Sequence, residues 1–446
     1  EGNPIEGNLN FTVCVGWTAG FLKNCNPTNN SFAIPADATT QVISLNKVVS
    51  TDPPYFDNIG YADLSDFFYI WLRKPLKKVF PKIFATLAVP KSEELVATPY
   101  RHENEANARQ FFLNGMTEAS KRIAFQAHPA FPATVYYAFK QSEAIEDEQK
   151  ISTGWEIFLD SIVRSGFSIK GTWPVRTERS EGLKTGKNTL ASSIVLVCRR
   201  RSQIASIATR REFLEVLKGE MPGSLRNLQK CGIAPVDLAQ ASIGPGMAVF
   251  TRYSKVLESD GTAMSVRTAL TLINQILDEV LAEQEGEFDA DTRWALAWFE
   301  QFGMSEGPFG EADVLSRAKN TSVNGLEQAG IVKARGGKVR LLSRKELSQE
   351  WDPVSDKRLT VWEVTQHLIR TLEEKGEIGV AEIVSKLGGI GETAKDLAYR
   401  LFTLCERKGW AKEALAYNSL AVAWPEISRL AFSTTRDEKP QQGNLF

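Results

Sequence analysis

Apolar residues fall at helical spacing in some stretches of the chain and at strand spacing in others, and the two kinds alternate through the first 200 residues. Phe11 to Leu22 forms a helix-like patch, followed by the Asn- and Pro-rich loop NCNPTNNSF. Val42 to Val49 is apolar and rich in β-branched residues, and its end, Lys47 to Ser50, reads as a short buried strand. Leu64, Phe67, Phe68, Trp71 and Leu72 share a helical period up to Pro75, which must bend or end the helix, and this aromatic run reads as a core face. Ala133 to Phe139 predicts a strand, Gly154 to Arg164 a helix, Phe167 to Val175 a strand containing Gly171, and Ser193 to Cys198 another strand. The last two lack a helical pattern between them and should pair antiparallel at a sheet edge.

Beyond about residue 204 helical periodicity takes over, as in Arg211 to Lys218, Val266 to Glu283 and Arg293 to Phe302. Ala312 to Lys319, Val323 to Gln328 and then IVKARGGKVRLL read as two short helices and a hairpin turning at Gly336-Gly337, an order that resembles a winged helix. The expected fold class is therefore α/β. It comprises a Rossmann-like sheet in residues 1–203, a helical region in 204–285, a winged-helix-like segment in 286–345, a helical unit in 346–432 and a disordered tail in 433–446.

Composition narrows the function classes. The 446 residues carry 53 Lys+Arg against 54 Asp+Glu, so contact with nucleic acid must come from local patches rather than from net charge. No apolar run is long enough to span a bilayer and no signal-like start is present. The five cysteines are widely spaced without a C-x-x-C pair, which suits a reducing cytoplasm. With three histidines and no H-E-x-x-H, neither a metal centre nor a His-based triad is expected.

The chemistry concentrates in Asp52-Pro53-Pro54-Tyr55, directly after an apolar strand. The lone pair of an exocyclic amine is delocalised into its ring, so methylating it requires acceptors that hold its hydrogens. The carboxylate of Asp52 and the carbonyl of Pro53 can serve as those acceptors, and the two prolines preorganise the loop. Tyr55 offers a face for a base flipped out of a duplex, with Pro54 and Phe56 as further substrate wall.

This tetrad at the end of a strand resembles the signature of amino-methyltransferases, and Asp in first place resembles the adenine-N6 type. The longer run VVSTDPPYFDNIGYADLSDFFYIWLR, with PATVYYAFKQSE, STGWEIFLDSIVRSGFSIKGTWPVRTE, NTLASSIVLVCRRR, APVDLAQASIGPGMAVF and FDADTRWALAWFEQFG, resembles a family of large prokaryotic adenine-specific DNA methylases sometimes linked to anti-phage defence. The resemblance implies S-adenosylmethionine as cofactor, with Asp37 and Ala38 of PADATT at the place that holds its adenine. It implies DNA as substrate, contacted by Arg176, Arg179, Lys187 and Asn188, with Lys184 and Arg199 to Arg201 as further phosphate contacts and the basic residues of the winged-helix-like segment on a groove or backbone. Such enzymes place a Gly-rich F-x-G-x-G loop well upstream of the tetrad. None precedes Asp37, and the glycines of IGPGMAVF do not follow a suitable strand. A missing N-terminal portion or a partner chain is therefore expected to complete the cofactor site. Cytosine N4 or an RNA adenine is an alternative acceptor, and a truncated, non-catalytic DNA-binding remnant is the alternative to an enzyme.

Overall fold

The computed structural model describes residues 11–25, 32, 34–56, 59–137, 153–176 and 192–437. Residues 1–41 form a unit of their own, containing helix α1 (Phe11–Asn24) and a turn at Asp37. The remaining residues form a second, mixed α/β unit.

This second unit begins with β1 (Ser50–Thr51), α2 (Tyr61–Leu76), α3 (Glu105–Gln126), β2 (Ala133–Tyr137), α4 (Thr153–Arg164), β3 (Phe167–Arg176) and β4 (Ser192–Arg200). The four strands make one sheet in the order β1-β2-β4-β3. β1 lies parallel to β2, and β4 runs antiparallel to both of its neighbours. The buried strand expected at Lys47 to Ser50 is instead the two-residue, partly exposed β1, because 43–46 are spent in turns. Pro75 does not end α2; it sits in the last turn, and the helix stops one residue later.

The chain continues with β5 (Ile207–Thr209), α5 (Arg210–Lys230), α6 (Pro235–Phe250), β6 (Lys255–Leu257) and α7 (Val266–Glu283). These helices do not form a separate domain, because Phe213, Met247 and Ile273 share one core with Val135, Leu159 and Leu196 of the sheet region. The join between α6 and β3 is unusually close. A Cβ on Gly244 would lie 2.3 Å from the Thr172 amide nitrogen and 2.9 Å from the Gly171 carbonyl carbon, so only glycine lets the helix meet the strand here. Pro245 has no N–H to give to the Ala241 carbonyl one turn back, and the Thr172 hydroxyl donates to that oxygen at 2.8 Å instead. A bulge between Ile169 and Gly171 bends β3, and the Ile169 amide donates to Thr251 Oγ1 at 3.0 Å. One edge of the sheet is thus sealed by α6. At the other edge, among the described residues, β1 pairs only with β2.

A second core runs from Phe288 to Ala431. It takes in α8 (Ala290–Phe302), β7 (Gly307–Pro308), α9 (Phe309–Ala318), α10 (Val323–Gln328), β8 (Val332–Arg335), β9 (Lys338–Leu341), α11 (Val361–Leu387), α12 (Gly389–Lys408) and α13 (Ala411–Asp437). Trp294 and Trp298, one turn apart on α8, stack at its centre. β8 and β9 form the expected hairpin, with positive φ at both Gly336 and Gly337, the geometry of a two-residue primed turn. The tail expected to be disordered from 433 is helical up to Asp437, and 438–446 lie outside the described residues.

Candidate functional site

Thr51 is in register with Val135, so Asp52 leaves β1 level with Tyr136, at the carboxyl end of the parallel pair. In open α/β sheets this is the end at which ligands bind, because the strands stop there and loops with free polar groups take over. Asp52 is exposed, while Pro53, Pro54 and Tyr55 are half-buried. The Tyr55 hydroxyl donates to Asp52 Oδ1 at 2.6 Å, and its ring meets Tyr137 edge-on with centroids 5.1 Å apart. Burial first, and then the bond to Asp52, push the phenol above its usual pKa, so it remains a donor at neutral pH. The carboxylate is therefore held at one oxygen. Its other oxygen has no hydrogen-bond partner among the described residues.

Phe56 departs from the expected substrate wall. Its ring packs edge-on against Phe112, and a Cβ on Gly154 would stand 3.0 Å from it, so Phe56 pins the loop to the core. Its φ of 33° is uncommon for a bulky residue, and a bond from the Ala97 amide to its carbonyl, 2.9 Å, helps hold that conformation. Arg101 fastens the next segment. It is largely buried and joins Asp63 of α2 to Glu94, which in turn accepts the Ala62 amide at the start of that helix. Nothing in the residue pattern singled out Arg101.

The aromatic run on α2 is not a core face. Tyr69 is buried, but Phe67, Phe68 and Trp71 are 66%, 63% and 70% exposed. Together with exposed Leu64, Ile70, Val79 and Phe80 they leave a large apolar surface uncovered in this region.

Asp37 and Ala38 belong to the separate unit of residues 1–41. Both are exposed, and the Asp37 carboxylate accepts from the Thr39 amide and hydroxyl at 2.8 Å and from the Thr40 hydroxyl at 3.3 Å. These bonds, the amide first, lower its pKa and describe a self-contained Asx turn. Arg176 closes β3 opposite Ser192, so its backbone lies at the same end of the sheet as the tetrad. Arg179, Lys184, Lys187 and Asn188 lie outside the described residues. Arg199 to Arg201 do not belong beside the tetrad. Arg200 pairs with Phe167 at the opposite end of the strands.

In the second core, Arg317, Lys338 and Arg340 are engaged by Asp313, Glu306 and Glu346. Lys319, Lys333 and Arg335 have no carboxylate partner among the described residues. No described helix is long and apolar enough to cross a membrane.

A family model described as a domain of unknown function (DUF8807) matches residues 289–445. Its start coincides with that of the second core, so the match lies wholly outside the sheet that carries the tetrad. No curated protein and no solved structure matches the chain.

Proposed function

We propose that the chain is the carboxyl-terminal part of a DNA methyltransferase that moves a methyl group from S-adenosylmethionine to the N6 amine of a flipped adenine. The observation that carries this reading is the exposed Asp52 carboxylate at the carboxyl end of β1, held at one oxygen by Tyr55, with no hydrogen-bond partner on the other oxygen among the described residues. Asp52 and the Pro53 carbonyl accept the two amine hydrogens, and Tyr55 and Pro54 flank the base. The methyl donor supplies the electrophilic carbon, and the residues contribute chiefly position and orientation.

The sheet supports the reading as one half of a Rossmann-like methyltransferase fold. β3 is sealed by α6, whereas among the described residues β1 pairs only with β2, and α2 exposes its rings, which suits completion by an N-terminal portion or partner bearing further strands. A winged helix assembled from α9, α10 and the β8–β9 hairpin would reach a DNA backbone through Lys319, Lys333 and Arg335. A second reading, a non-catalytic DNA-binding remnant acting in the cytoplasm, draws on the Asp37 turn, whose carboxylate is already occupied.

The test is methyl transfer from labelled cofactor to duplex DNA, followed by separation of the nucleosides, with the chain alone and with the polypeptide encoded immediately upstream supplied in trans. Label in N6-methyladenine is expected, and Asp52→Ala should lower it by on the order of a hundredfold or more while leaving thermal unfolding unchanged, because the side chain is exposed. Label in N4-methylcytosine or only in RNA would reassign the acceptor. Absence of both transfer and cofactor binding in either arrangement would favour the remnant.

A further inference from the structure

A cleft of about 630 Å³ opens at the other end of the sheet, between the end of α3, the start of β2 and the end of β4. Its lining includes Arg199, Arg200, Arg201, His128, Phe125 and Phe131, and no Asp or Glu. Five residue steps along the strands separate the level of Arg200 from that of Asp52, roughly 17 Å at about 3.4 Å per residue. The two places are therefore distinct.

Each arginine is held in position without being neutralised. Arg199 donates to the Ala130 carbonyl at 3.2 Å, and Arg201 donates to those of Val163 and Tyr253 at 3.1 and 3.3 Å. Arg200 lies over the Phe125 ring, 5.8 Å from its centroid. A guanidinium has five N–H donors, so these contacts orient the groups and leave donors to spare. Among the described residues none of the three has a carboxylate partner. The His128 Nδ1 accepts from the Ala130 amide at 3.2 Å, which leaves Nε2 as the donor of the neutral ring. Phe125 and Phe131, 72% and 53% exposed, add aromatic surface beside the cations.

Clustered guanidinium groups match a phosphate in charge and geometry, and exposed rings match a planar body. We propose that this cleft binds the phosphoryl group of a nucleotide, with its base against the phenylalanines. The shared chemistry fits a free mononucleotide and a residue of a nucleic-acid strand, and competition between them tells the two apart.

The experiment is calorimetric titration of the full chain with inorganic phosphate, deoxyadenosine monophosphate and a short single-stranded oligodeoxynucleotide. Submillimolar binding of the mononucleotide, tighter than that of phosphate, is expected. Arg200→Glu, a change at an exposed position, should weaken it by about tenfold or more with an unaltered melting curve. Asp52→Ala should leave it unchanged, which separates this site from the proposed methyl-transfer site. Displacement of the mononucleotide by oligonucleotide at lower concentration assigns the strand as ligand, and the reverse assigns the free nucleotide. Absence of binding at millimolar mononucleotide, or equal binding by Arg200→Glu, would overturn the proposal.

Discussion

Gly244→Ala is expected to destabilise the protein by about 3 kcal/mol, seen as a lower urea midpoint with little change in slope. The added carbon would sit 2.3 Å from a backbone nitrogen of β3 and 2.5 Å from Thr172 Oγ1. Backbone cannot step aside as the end of a side chain can, so α6 must lift from the strand. Lifting it would also break the Thr172 bond to the Ala241 carbonyl that Pro245 leaves unpaired, and the Ile169 bond to Thr251. Gly219→Ala, on the exposed face of α5, provides the contrast. Its Cβ meets nothing within 4 Å, and relief of glycine's helix penalty should stabilise by up to about 1 kcal/mol. Equal midpoints for Gly244→Ala and the parent protein would show that the helix does not rest on the strand as described.

A comparably large effect is expected from pH acting on the second core. Glu363, at the third position of α11, is almost fully buried, and its pKa is raised to about 8 by burial first and then by the charge of Asp356. Because the folded value lies above the unfolded one, its contribution is complete below about pH 4.5 and is lost as pH climbs through 8. His367 has the opposite sign. Burial, then the charge of Arg370, depress it to about 3, so its contribution is present above about pH 6.5 and is lost as pH falls toward 3. Stability set by this pair should therefore peak between about pH 5 and 6, and on the order of 2 kcal/mol should disappear by pH 9, because the His367 term still rises to about pH 6.5 while the Glu363 term falls. Glu363→Gln should flatten the alkaline limb and leave the acid limb in place. Trp351 reports on the same place, since it stacks on His367 with centroids 4.0 Å apart and donates to Asp356 at 3.0 Å. Urea titrations followed by tryptophan emission at several pH values measure both limbs, and an unchanged alkaline limb in the variant would exclude Glu363 as its source.

The elements most legible in the sequence were those whose period and punctuation agreed. α4 announces itself by Trp155, Phe158, Leu159 and Ile162 on one face, all buried, and the β8–β9 hairpin by its Gly-Gly turn. Among the helices, α3 and α6 escaped for different reasons. α3 buries Ala108, Phe112, Met116 and Ala119, but small and polar residues dilute its apolar stripe. α6 contains Gly244, Pro245 and Gly246, which read locally as a helix breaker and are explained only by what the helix touches, β3 at Gly244 and Ile273 at Gly246. The aromatic run of α2 misled in the other direction, since period alone places residues on one side of a helix and says nothing of whether protein or solvent lies there. At the tetrad, the sequence located the Asp52 carboxylate, but not the Tyr55 hydroxyl that holds it or the Phe56 anchor behind it. Those depend on Tyr137, Phe112 and Gly154, which are distant in the chain.

The placement of β4 between β2 and β3 has a consequence for biogenesis. The strand that carries the tetrad's neighbours, Tyr136 and Tyr137, gains its inner partner only once residues 192–200 have been made, and the face of β3 is covered only after α6 follows. While the ribosome is still extending the intervening segment, β2 has only the two-residue β1 as a partner, and its side toward β4 is unsatisfied. Such a delay between making a strand and giving it a neighbour is when nascent chains stick to one another, so yield of this polypeptide should depend on translation speed and on chaperones more than its finished contacts would suggest.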